Sequence, residues 1–70
     1  MARKQTAGQL LRNVRKSRGD TQKTLAETLG VTEQAVYYWE RDAHKPNRDA
    51  MIALRDLYGI KIEEWFRYVA

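Results

Sequence analysis

Apolar residues recur at helical spacing along almost the whole chain. Ala7, Leu10, Leu11 and Val14 fall on one face of a first helix, and Gly19 is placed to end it in a left-handed cap. Thr21 is an N-cap for a second helix whose inner face is Leu25, Ala26 and Leu29, and Gly30 stops it after little more than two turns. Thr32 caps a third, with Ala35, Val36 and Trp39 facing inward. A polar stretch from Asp42 to Lys45 runs into Pro46; Asn47 then caps a fourth helix carrying Met51, Leu54, Leu57 and Tyr58, which Gly59 closes. Ile60 and Ile62 lead into a short last helix with Trp65, Phe66 and Val69. No stretch alternates as a half-buried strand would. The pattern predicts an all-α fold, a compact bundle of five short helices around one core.

The segment Gln22 to Trp39 is the most specific part of this pattern. Two short helices meet across the tight turn Leu29-Gly30-Val31-Thr32, where a glycine supplies positive φ without steric cost. Ala26 sits where the helices approach most closely, and a larger side chain would push them apart. With Val36 and Trp39 anchored on the core, the opposite side of the third helix displays Gln34, Tyr37, Tyr38 and Arg41. Amide, phenol and guanidinium groups suit the base edges and phosphates of a nucleic acid. Two adjacent tyrosines near an exposed position also depart from the Lys and Glu that solvated helix faces normally carry.

Length and composition limit the alternatives. The chain has 70 residues, no cysteine and a single histidine, His44, so it has room for one domain and no disulfide framework or zinc cluster. No metal and no cofactor is expected. Neither a membrane-length apolar run nor a signal-peptide core is present, which fits a reduced, cytoplasmic setting. The formal net charge is +4, and the N-terminal third is the basic part: Arg3, Lys4, Arg12, Arg15, Lys16, Arg18 and Lys23 against Asp20 alone. That balance favours a polyanionic partner. Residues 1–5 read as a flexible basic arm and residues 6–70 as the folded domain.

From about Leu10 to Phe66 the chain resembles the phage-repressor type of helix-turn-helix domain, the lambda-repressor and Cro-like (XRE) group. The resemblance rests on Val14-Arg15 with Arg18-Gly19, Thr21-Gln22, Leu25-Ala26, Leu29-Gly30-Val31-Thr32, Val36, Trp39-Glu40-Arg41, Pro46-Asn47, Leu54, Gly59-Ile60 and Ile62-Glu63-Glu64-Trp65. It implies a five-helix fold, symmetric homodimers on near-palindromic double-stranded DNA, and regulation of transcription, with repression expected. It also implies that Arg15 and Glu40 form a structural ion pair tying the first helix to the third. Three positions depart from the family pattern. Asp20 replaces a usual Leu, so a core contact is lost or exchanged. Asp42 replaces the glycine that commonly ends the third helix; aspartate is among the few residues that tolerate left-handed geometry. Lys61 replaces a capping Ser, which leaves the last helix weakly started.

On this reading the third helix lies in the major groove with its first turn nearest the bases. Thr32, Glu33, Gln34, Tyr37 and Tyr38 are then the base-reading candidates, with Gln34 matched to adenine and Glu33 to cytosine N4. Phosphate contacts fall to Gln22 at the start of the second helix, to Arg41 and Lys45 around the following loop, to His44 and Arg48, and to Arg3 and Lys4 in the arm. The stretch Trp65 to Val69 is the expected pairing surface, with dimerisation on or off DNA left open. An enzyme is not expected: there is no nucleophile–base constellation and no glycine-rich phosphate loop. The competing class is a protein-interaction module of the same shape, an adaptor or antitoxin, gripping its partner through Trp65, Phe66 and Tyr68.

Overall fold

The structure, a computed structural model, describes residues 5–67. Four α-helices, α1 (Ala7–Ser17), α2 (Gln22–Leu29), α3 (Glu33–Glu40) and α4 (Arg48–Tyr58), are followed by a 3-10 helix, Ile62–Phe66. The expected fifth α-helix is thus a 3-10 turn. Lys61 at its start makes no side-chain cap, and its bonds are of the tighter kind, as from Glu64 N–H to Lys61 C=O at 3.0 Å. Among the described residues there is no strand, and no helix is long and apolar enough to cross a membrane. Residues 1–4 of the expected arm, with Arg3 and Lys4, and residues 68–70 lie outside the described residues.

Each α-helix begins at a hydroxyl or amide that accepts a backbone N–H. Thr6, Thr21, Thr32 and Asn47 take the N–H of Gln9, Thr24, Ala35 and Ala50 respectively. At α1 the capping box is complete, because Gln9 reaches back to the Thr6 N–H at 3.1 Å.

The core is a single cluster built from every helix. Leu11, Leu25, Val36, Leu54 and Ile60 are fully buried at its centre, with Trp39, Met51, Tyr58 and Trp65 around them. Ala26 is buried in that cluster. Two expected core residues are outside it: Leu57 and Phe66 are 37% and 55% exposed. The buried face of α4 centres on Leu54 and runs through Ala50, Met51 and Tyr58, which leaves Leu57 on its edge. On the 3-10 helix Trp65 takes the inward direction, so its neighbour Phe66 turns out.

The Asp20 departure is compensated by polar contacts. Its carboxylate accepts from the Tyr58 hydroxyl at 2.7 Å, and its carbonyl accepts from Arg15 Nη1 at 2.9 Å. Burial and the bond to Asp20 push the Tyr58 phenol up to about 12, so near neutrality Tyr58 is a neutral donor joining α4 to the α1–α2 turn.

Candidate nucleic-acid interface

The geometry of α2 and α3 is fixed by the turn between them. Gly30 adopts φ 70° and ψ 32°, a left-handed conformation that needs no Cβ. Val31 N–H returns to Ala26 C=O at 3.0 Å, and Thr32 then starts α3. Val36, Trp39 and Glu40 face the interior, while Glu33, Gln34, Tyr37 and Arg41 are exposed and Tyr38 is half-buried.

The outer side chains of α3 are linked to one another. Gln34 Nε2 donates to the Tyr38 hydroxyl at 3.2 Å. Tyr38 meets Tyr37 edge-on at 5.7 Å and His44 edge-on at 5.1 Å between ring centroids. The Arg41 guanidinium lies over the Tyr37 ring at 5.3 Å. Thr32, Gln34, Ala35, Tyr38, Trp39 and His44 surround a shallow hollow of about 330 Å³.

Beneath this face, Arg15 and Glu40 form a two-pronged ion pair, Nε to Oε2 at 2.6 Å and Nη2 to Oε1 at 3.1 Å. Both side chains are largely buried, 9% and 4% exposed. The carboxylate holds the Arg15 guanidinium above its ordinary pKa, chiefly through that hydrogen bond and against the cost of burial. Gln22 joins the pair by donating Nε2 to Glu40 Oε1 at 3.0 Å. The Gln22 side-chain amide is therefore engaged within the protein, so a phosphate contact at this position would fall to the backbone N–H groups at the start of α2.

The cationic candidates divide. Arg41 stands with Arg12, Gln22 and Tyr37 around a second hollow of about 240 Å³ above the ion pair. The sequence shows Arg12 only as one of the basic N-terminal residues, because nothing in its spacing marks which face of α1 adjoins the start of α2. Lys45 is turned towards the C-terminal end, its Nζ 5.7 Å from the Phe66 ring centre. His44 and Arg48 are exposed on either side of Pro46.

Two further residues shape the site. Asp42, at φ 59°, uses both carboxylate oxygens on α1: Oδ1 accepts from Gly8 N–H at 3.0 Å and Oδ2 from the Thr6 hydroxyl at 2.6 Å. The left-handed turn that glycine usually supplies thus also caps the first helix from the end of the third. Gly8 lies so close that an added Cβ would collide with the Trp39 carbonyl oxygen and come within 2.9 Å of that of Glu40. The only hint of this contact in the sequence is a glycine in a helix's first turn, where alanine is favoured.

Among the described residues no group of three or more His, Asp or Glu is gathered as a metal would require. The helix-turn-helix family model matches residues 11–65, most of the chain and all of α2 and α3. No curated protein sequence matches the chain. With the turn at Gly30, the caps, the buried Val36–Trp39 face and this match together, the chain belongs to the helix-turn-helix family of DNA-binding regulators, in its lambda-repressor and Cro-like branch.

Proposed function

We propose that the chain binds double-stranded DNA sequence-specifically and represses transcription, two copies reading the half-sites of a near-palindromic operator with α3 in the major groove. The observation that carries this is the two-sidedness of α3. Its inner face is locked by Val36, Trp39 and the Glu40 ion pair, while its outer face is a connected strip of amide, phenol and guanidinium groups. A rigidly held helix whose exposed groups complement base edges suits direct readout.

Gln34 is exposed in the first turn and presents a donor and an acceptor on one plane, the match for adenine N7 and N6. Glu33 accepts only and is suited to cytosine N4. Thr32 spends its hydroxyl on the Ala35 N–H, which leaves its methyl for a thymine. Tyr37, stacked with Arg41, faces the backbone. Arg41 and Arg12, beside the start of α2, form the phosphate clamp, with His44 along the adjoining DNA strand and Lys45 and Arg48 further off, at the edge of the Phe66 hollow. Each phosphate contact releases counterions. Arg41→Ala is therefore expected to weaken binding on every sequence and reduce the slope of log K against log salt by roughly one unit; an unchanged slope would remove Arg41 from the clamp.

Pairing of two chains is supported by Phe66, whose exposed ring borders a largely apolar hollow of about 560 Å³ with Pro46, Met51 and Ile62, rimmed by Lys45 and Arg48. A symmetric contact there would set half-sites about one helical turn apart.

The test is selection of bound duplexes from a random pool, followed by Gln34→Ala on the selected site. Wild type is expected to select inverted repeats bound by two chains and, with the site across a promoter, to lower transcription of a reporter. Gln34→Ala is expected to relax preference at one base pair per half-site, a discrimination worth roughly 1–3 kcal/mol. A uniform loss on all sequences would make Gln34 a positioning residue. A monomer indifferent to DNA would favour the adaptor reading.

A further inference from the structure

The Gln34 amide matches adenine in only one of its two planar orientations, and it reads most sharply when that polarity is fixed in advance, because a planar amide turned over exchanges donor for acceptor at nearly the same positions. We infer that Tyr38 fixes it: the phenol is a positioning residue that orients Gln34 and thereby sets preference for adenine over guanine. This rests on the proposal that Gln34 faces a base pair.

Gln34 Nε2 donates to the Tyr38 hydroxyl at 3.2 Å across one helical turn. That leaves the second Nε2 hydrogen and the Oε1 lone pairs outward, a donor beside an acceptor. Adenine offers the complement, N7 accepting and N6 donating. Guanine offers two acceptors, N7 and O6, and O6 would meet Gln34 Oε1 as acceptor against acceptor. With the amide reversed, adenine would meet it donor against donor and acceptor against acceptor, while guanine O6 would gain a bond from Nε2, so the preference for adenine would be lost.

The phenol is itself held. The His44 ring packs against it at 87°, and Ala43 N–H bonds to the Tyr38 carbonyl at 3.0 Å, folding the loop that carries His44 back onto α3. Tyr37 also packs edge-on with it, at 5.7 Å between ring centroids. Since the Tyr38 oxygen accepts from Gln34, its own proton is available to an outward acceptor. A phosphate oxygen can only accept, so a phenol that donates to one must keep accepting from Nε2. The DNA backbone would then hold the amide in the adenine-reading sense through the hydroxyl.

The experiment uses the duplex selected by the wild-type chain, with each base pair of the half-site varied in turn, and compares wild type, Gln34→Ala, Tyr38→Phe and the double variant. Loss of the phosphate bond in Tyr38→Phe lowers affinity for all duplexes alike, so the readout is the adenine-to-guanine affinity ratio at each position. Tyr38→Phe is expected to reduce that ratio about three- to tenfold, the worth of an ordinary neutral hydrogen bond, at the same base pair that Gln34→Ala relaxes. In the Gln34→Ala background it is expected to change the ratio no further, which is the signature of action through Gln34. A ratio unchanged by Tyr38→Phe while Gln34→Ala relaxes it would overturn the positioning role and leave Gln34 as the reader. Relaxation at a different base pair would also overturn it, since Tyr38 would then read a base itself. If Gln34→Ala relaxes no single position, the reading of Gln34 falls and this inference with it.

Discussion

Glu40→Gln is expected to destabilise the fold by about 3 kcal/mol, the lower end of the cost of stripping one partner from a buried ion pair. The substitution keeps the shape of the side chain and removes its charge, so the Arg15 guanidinium stays inside with only the Asp20 carbonyl and a neutral amide to bond. Water cannot reach it well, because the two side chains are 9% and 4% exposed. In a domain of this length each 1 kcal/mol moves the melting temperature by roughly 4–8 °C, so a fall of more than 10 °C should be seen. Glu27→Gln, on the exposed side of α2, is the control and is expected to stay within about 0.5 kcal/mol of wild type. Replacing Arg15 and Glu40 together by well-packed apolar residues should regain much of the loss, because the penalty lies in the orphaned charge. Equal melting temperatures for Glu40→Gln and Glu27→Gln would refute the buried pair.

Gly8→Ala is expected to lower stability by about 2 kcal/mol, measured by urea unfolding, with the sign opposite to helix propensity. In an open helix the change from glycine to alanine gains up to about 1 kcal/mol. Here the new methyl would strike the backbone carbonyls of Trp39 and Glu40, and helix backbone yields less readily than a side chain. Forcing α1 away from the end of α3 is an overpacking cost of roughly 1–3 kcal/mol. It would also stretch the bond from Gly8 N–H to Asp42. A Gly8→Ala variant as stable as wild type, or more so, would mean that α1 does not approach α3 this closely.

Both effects depend on contacts between elements far apart in the chain: the Arg15–Glu40 pair was reached through the family resemblance and not through local pattern, and the approach of Gly8 to the end of α3 was not reached at all. The caps at Thr21, Thr32 and Asn47, the stops at Gly19, Gly30 and Gly59, and the helix-turn-helix spacing all follow from local chemistry that each segment carries with it. The Thr6-x-x-Gln9 capping box was equally local and could have been found by the same rule. The outer face of α3 was legible because periodicity alone separates Val36 and Trp39 from Gln34, Tyr37 and Arg41.

Direction and partnership were not. Leu57 and Phe66 have core-like chemistry, yet Leu57 sits at the edge of the buried arc of α4 and Phe66 points about a third of a turn away from Trp65 on the 3-10 helix, directions that apolar character does not encode. The bond from Tyr58 to Asp20, and the Asp42 clasp on Thr6 and Gly8, join residues 38, 36 and 34 positions apart. The engagement of Gln22 by Glu40 is of the same kind, at 18. The sequence by itself determined where helices begin and end and which face of α3 is offered outward, because caps, glycines and a 3.6-residue period act within a turn or two of chain. Only the tertiary structure decided which polar groups are spent inside the protein and which are left to meet a ligand, because hydrogen bonds form between whatever groups the packing of α1 against α3 and α4 brings within 3 Å or so.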